Sequence, residues 1–253
     1  MITWKKIGWL LPLSWMLIGC EKFPGEDCFK STGEKTVEHR TIQPFEHINL
    51  EDNINLILTQ GDEFSAMVKA GENLIGSIIT VVNDNVLTVK NENKCNWMRD
   101  FNEEIDVYLT VNHLCSITYR SSGLILSTNT IVSDSLNIAV WDGTGTIDLD
   151  IQTRVSALSI HYGSVDYRIR GKSNVCYIYA GSYGPFFCED LETTFMFMNN
   201  CGSNDCYVYC IGELEIQILY TGSIYYTGKD YAPLPVLSKS EITGSGKLVN
   251  LDD

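Results

Sequence analysis

The chain has 253 residues, of which 44% are hydrophobic and 20% charged, with a formal net charge of −14. Such a composition suits one large packed domain or two small ones and is not that of a disordered polymer. An acidic chain without a basic stripe cannot release phosphate counterions, which excludes nucleic acid as a partner, and anionic lipid head groups would repel it.

At the start, Lys5 and Lys6 lead into an apolar stretch from Ile7 to Ile18, closed by Leu17-Ile18-Gly19-Cys20. Basic, apolar and small residues in that order form a secretory signal over residues 1–19. Its end resembles a bacterial lipobox, in which the cysteine is acylated and becomes the first residue of the mature protein. The resemblance makes Cys20 the lipidation site and membrane lipid a partner. The apolar stretch is too short to span a hydrocarbon core, which needs roughly twenty residues. Glu21 follows Cys20 where an inner-membrane retention signal would have aspartate, so the outer membrane is the expected location, with the periplasmic or surface face open. Loss of Lys5 and Lys6 with the leader takes the formal charge from −14 to −16. Residues 20–40, with Pro24, Gly25 and Gly33, lack periodicity and read as a flexible tether.

A single β-rich domain is expected over residues 41–253. Its opening part, residues 41–115, alternates irregularly: Ile54, Leu56 and Leu58 turn at Gln60-Gly61-Asp62, Asn83-Asp84-Asn85 separates two short runs, and Ile105, Val107, Leu109 and Val111 form another strand. These residues read as broader opening coils or as a β-rich cap.

From residue 116 to 249 the pattern becomes regular. Glycines recur at Gly123, Gly143, Gly163, Gly181, Gly202, Gly222 and Gly244, in steps of 20, 20, 18, 21, 20 and 22 residues. Between them apolar and polar residues alternate, as in Leu158, Ile160 and Tyr162 against Ser159 and His161, which is the period of a half-buried strand. A sandwich or barrel gives turn signals every 8 to 12 residues, whereas a period near 20 marks stacked coils. The expected fold is therefore all-β, a right-handed parallel β-helix with coils of about twenty residues. In register on Gly143 and Gly163, Asp148 faces Arg168 and Asp150 faces Arg170 across adjacent strands.

After Cys20 is set aside, eight cysteines remain: Cys28, Cys95, Cys115, Cys176, Cys188, Cys201, Cys206 and Cys210. In an oxidising compartment this even number permits disulfides. Cys188 and Cys210 lie about one repeat apart, so stacking would bring them together. Small apolar core residues are the alternative role for most of them.

Phe45-x-x-Ile48, the Ile54 to Asp62 strand and turn, Ala70-Gly71-Glu72-Asn73-Leu74, Leu87-x-Val89 and the Gly-Ser corners ending in Gly244-Ser245-Gly246 carry a further resemblance. Together, over roughly residues 41–249, they resemble the bacterial family of auto-transporter adhesin, head GIN domain proteins. The resemblance implies a secreted or lipid-anchored β-solenoid and brings no catalytic residues with it.

No Gly-x-Ser-x-Gly elbow, His-Glu-x-x-His pair or EF-hand loop occurs, so neither a catalytic set, a metal site nor a cofactor is expected. Asp142, Asp148, Asp150 and Asp166 are the acids an enzyme of the polysaccharide-degrading type would draw on, but strand alternation already accounts for them. Tyrosines recur at the coil period, and Tyr183, Tyr207, Tyr225 and Tyr226 are the candidates for an exposed ring-stacking face. The expected function is a non-catalytic binding or adhesion module for a glycan or protein. A periplasmic scaffold lipoprotein is the alternative.

Overall fold

The computed structural model describes residues 31–94, 104–228 and 235–253. Residues 1–19, Cys20 and the tether up to residue 30 lie outside the described residues, as do Cys28 and Cys95.

The regular part is built from β10 (Ile131–Val140), β11 (Thr144–Ile160), β12 (Ser164–Ala180), β13 (Phe186–Asn200) and β14 (Cys206–Ile218), each pairing in parallel with the next. In β11 and β12 the pairing skips Arg154 and Asn174, where each strand bends into two limbs. First limbs such as 144–153 form one wall of the solenoid and second limbs such as 155–160 the other. A glycine corner then carries the chain to the next coil. The stacked coils make a β-solenoid of about 6 turns. Gly143 and Gly163 are in register, and Asp148 lies opposite Arg168 and Asp150 opposite Arg170, as the sequence spacing predicts.

Alternation produces the core directly. Ile147, Leu149 and Ile151 are buried, as are Val165, Tyr167 and Ile169 one coil on, while the residues between them face water. Tyr167 stacks on Phe186 of the following coil at 4.6 Å between ring centroids. Each such side chain contributes roughly 1.5–3 kcal/mol through burial.

The bend between limbs buries hydroxyls rather than hydrocarbon. Ser173 accepts hydrogen bonds from Thr153 (2.9 Å) and Ser156 (2.8 Å) and donates its own proton to the Val175 carbonyl (2.9 Å). One donor and two acceptors exhaust what a hydroxyl can make. Ser173→Ala is therefore expected to cost about 1–3 kcal/mol, since it orphans buried partners, while alanine at exposed Asn174 leaves the urea midpoint unchanged. Equal midpoints for the two variants would count against the network.

The opening part follows a different order. β2 (His47–Asp52) and β3 (Ile54–Gln60) make a coil that stacks on β8 (Ser116–Ser121) and β9 (Leu124–Ser127). On its other side lie β6 (Val86–Asn91) and β7 (Ile105–Val111), the later coil in sequence but the outer one in space. Antiparallel strands close this end: β5 (Ile78–Asn83) on β6, and β4 (Ser65–Gly71) then β1 (Lys35–Arg40) beyond β7. The opening residues are thus both coil and cap. Antiparallel strands terminate the parallel walls at this end.

At the far end, β15 (Ile224–Thr227) and β17 (Leu248–Asn250) extend the first wall and β16 (Val236–Ile242) the second. Asp252 accepts bonds from the Thr227 hydroxyl (2.6 Å) and the Gly228 amide (2.7 Å) and so ties down the chain end. All seven residues of β16 are exposed.

The six described cysteines are free thiols, and the stacking of Cys188 on Cys210 does not occur. A register shift between Cys188 and Glu192 sets Cys188 opposite Val208 and Cys210 opposite Thr193. Cys176, Cys188, Cys206 and Cys210 are buried in the core, where burial pushes Cys176 and Cys206 up to about 12. Neutral thiols of this kind are small hydrophobes and poor nucleophiles.

Candidate binding surface

Parallel stacking converts a 20-residue spacing in sequence into contact in space. On the second wall Tyr177 and Phe197 are register partners, and their rings stack at 5.0 Å and 15°. Along the neighbouring corner Trp141 stacks on His161 at 3.9 Å and 8°, and His161 meets Tyr179 at 5.3 Å. Tyr179 reaches that corner because Gly181 has no side chain, and the tyrosine ring occupies the space a Cβ would take.

Between the two ring rows lies a groove of about 290 Å³, lined by Ala157, Ser159, Tyr177, Tyr179, Phe197 and Asn199, with Glu215 and Gln217 at its far end. Ser159, Tyr179, Asn199 and Gln217 belong to one outward column, one residue per coil. The ring of Tyr179 leaves that column, so the groove runs along the solenoid axis. Asn199 accepts the Cys201 thiol proton through Oδ1 (3.0 Å), which leaves its amide donors for a ligand. Lys239 holds Glu215 at 3.0 Å and Gln217 donates to Glu241 at 2.9 Å.

The first wall carries a second ladder. Phe187, Tyr207 and Tyr225 stack at 5.8 and 4.9 Å, and the Arg168 guanidinium lies 4.5 Å over the Phe187 ring. Partial burial, then Asp205, Tyr225 and Glu189 nearby, push the Tyr207 phenol up and keep it protonated. Beside this ladder, Arg170 pairs with Asp148 and lies 4.0 Å from Asp150, while Arg168 reaches Asp166 at 3.7 Å. These half-exposed pairs contribute at most about 1 kcal/mol each, and Asp148, Asp150 and Asp166 against Arg168 and Arg170 leave one negative charge in excess.

Of the four tyrosines singled out from the sequence, Tyr207 and Tyr225 come together. Tyr183 stands alone at a corner, 68% exposed, and Tyr226 packs against the core from the other side of its strand. The second-wall rings of Trp141, His161, Tyr177, Tyr179 and Phe197 were not among them. The signal for the ladders is an aromatic or imidazole pair exactly one coil apart, as in Trp141 with His161, Tyr177 with Phe197 and Phe187 with Tyr207. Among the described residues, no group of three or more His, Cys, Asp or Glu side chains is placed to hold a metal ion.

Comparison with the curated proteins found no match. Among solved structures, a putative adhesin from Bacteroides fragilis superposes with a TM-score of 0.76 at 16% identity, covering 86% of this chain and 97% of that one. A putative adhesin from Parabacteroides merdae gives 0.63 at 15% identity (87% and 98%), and a putative lipid binding protein from Parabacteroides distasonis gives 0.63 at 18% (87% and 98%). At these identities the likeness concerns the fold. A family model matches residues 44–229, from before β2 to just past β15, and the chain belongs to the family described as putative auto-transporter adhesin, head GIN domain.

Proposed function

We propose that the chain is an exported, lipid-anchored protein of the cell envelope and acts as a non-catalytic binding or adhesion module for a glycan or protein. The observation that carries this reading is the pair of outward-facing aromatic ladders, one on each wall of the solenoid, with Tyr177 exposed and Phe197, Phe187, Tyr207 and Tyr225 half-buried. A stacked sheet fixes ring positions before a ligand arrives, so little ordering entropy is lost on binding. Membership of an adhesin-type family supports the same role. Residues 1–19 serve export and acylated Cys20 holds the protein on the outer membrane, since each buried methylene contributes about 0.8 kcal/mol. Residues 20–30 then act as the tether of a single domain, which starts before residue 41 because Lys35–Arg40, expected as tether, is strand β1 paired antiparallel with β4. A periplasmic scaffold is the competing reading, favoured by the fully exposed end strand β16.

Protease treatment of intact cells tests the reading. Loss of the protein is expected for a surface adhesin, whereas protection until the outer membrane is broken supports the scaffold. Cys20→Ser is expected to move the protein from the membrane pellet to the soluble fraction, and continued pelleting would refute lipidation.

A further inference from the structure

The second-wall groove has a shape and chemistry that narrow the ligand. Its two banks are aromatic, Tyr177 with Phe197 on one side and Tyr179 on the other, the Tyr179 ring being backed outside the groove by His161 and Trp141 at the corner. Its floor offers Ser159 and Asn199 as polar groups, while Ala157 stands in the column of Tyr177 and Phe197 and leaves that bank open one coil earlier. Rings suit a ligand with flat C–H faces, and a hydroxyl and an amide suit a ligand with hydroxyls around its rim. Pyranoses whose substituents are all equatorial carry axial C–H groups on both faces and hydroxyls at the edge, so both features are met at once.

Direction and size fit the same class. The groove crosses successive strands, so its repeat is the strand spacing of about 4.8 Å, close to one sugar residue in an extended chain. A volume of about 290 Å³ is small for an enclosed ligand site, and an open groove of that size holds a ring or two of a longer chain that continues past it. Charge decides the rest. The ionisable groups facing this end are Glu213, Glu215, Glu241 and Lys239, acidic in balance, on a chain of net charge −14. Uronate or sulfate groups would be repelled.

We infer that this groove is a subsite for an uncharged, β-linked oligosaccharide with equatorial hydroxyls, stacked between Tyr177, Phe197 and Tyr179 and hydrogen-bonded by Ser159 and Asn199. The inference rests on the reading of the chain as a binding module and names the ligand class and the wall that binds it. Tyr207 and Tyr225 on the other wall take no part.

The test uses the full chain, extracted in a zwitterionic detergent that carries no sugar. Cellohexaose and chitohexaose are the neutral probes and hexagalacturonate the anionic one, followed by saturation-transfer NMR and calorimetry. At least one neutral hexasaccharide is expected to bind, with transfer strongest at its axial C–H protons. Tyr177→Ala and Phe197→Ala are each expected to weaken binding about tenfold, and Asn174→Ala, at the exposed bend of β12, to leave it within about twofold. Because all three side chains point outward from strands, unchanged unfolding midpoints show that the variants fold. Binding of neither neutral probe, preference for hexagalacturonate, or retained affinity in Tyr177→Ala and Phe197→Ala would overturn the inference. Chain-dependent attachment of cells to protein-coated surfaces, scored in parallel, separates failure of the sugar assignment from failure of the adhesion reading.

Discussion

Gly163→Val is expected to destabilise the solenoid by about 4 kcal/mol, enough to remove much of the stability of an ordinary domain. Gly163 adopts φ +114°, a conformation that side chains other than hydrogen rarely tolerate. The position of its missing Cβ is filled by the carbonyl oxygen of Gly143 in the preceding coil. That carbonyl cannot withdraw cheaply, because it accepts the Ser164 amide at 2.9 Å in the ladder that holds the coils together. Most of the loss should therefore already appear in Gly163→Ala, since the obstruction lies at Cβ itself. Gly76, in a 3-10 turn over Ile75–Ser77, has open space where its Cβ would stand and no positive φ. Alanine there should be neutral or stabilising by up to about 1 kcal/mol. Urea midpoints read the contrast, and a Gly163→Ala protein as stable as the parent would disprove the steric account of the corner.

Raising the pH above 9 is expected to unfold the protein progressively through its buried thiols. Cys176 and Cys206 are pushed from an ordinary 9 up to about 12, chiefly by burial, and burial pushes Cys188 up as well. Between pH 9 and about 12 the unfolded chain has released these protons and the folded chain still holds them. Stability then falls with pH, by about 1.4 kcal/mol per unit for each thiol, and is unaffected by them below pH 9. For Cys176 and Cys206 together the loss between pH 9 and about pH 11 is about 5 kcal/mol. Urea midpoints under reducing conditions should drop over that interval and drop less steeply in a Cys176→Val, Cys206→Val protein. A pH-independent midpoint in the parent would exclude the mechanism.

The regular coils were legible residue by residue. Alternation around Ile147 to Ile151 and Val165 to Ile169, with glycine twenty residues apart, is enough to set faces and register, because a one-residue slip would turn the whole strand inside out. The cysteines were less legible. Cys188 and Cys210 sit nearly one repeat apart, but a bulge after Cys188 breaks the register, and local irregularity of that kind leaves no mark in spacing. Among the aromatics, Tyr207 with Tyr225 could be found by counting coils, whereas Tyr226 is turned inward by the alternation of its own short strand.

By itself the sequence determined what depends on short-range periodicity: strands rather than helices, parallel coils of about twenty residues, inward and outward faces, and the pairing of Asp150 with Arg170 across coils. Tertiary structure alone decided the order of the opening coils, where β6 and β7 are placed outside β2 and β3 and antiparallel strands close the end. Such pairings are between distant segments, and hydrophobic alternation marks a strand as buried without saying which neighbour buries it. The groove was decided the same way. It exists because Tyr179 leans over Gly181 and vacates its own column, a rotamer choice set by a glycine two residues on and by His161 one coil before.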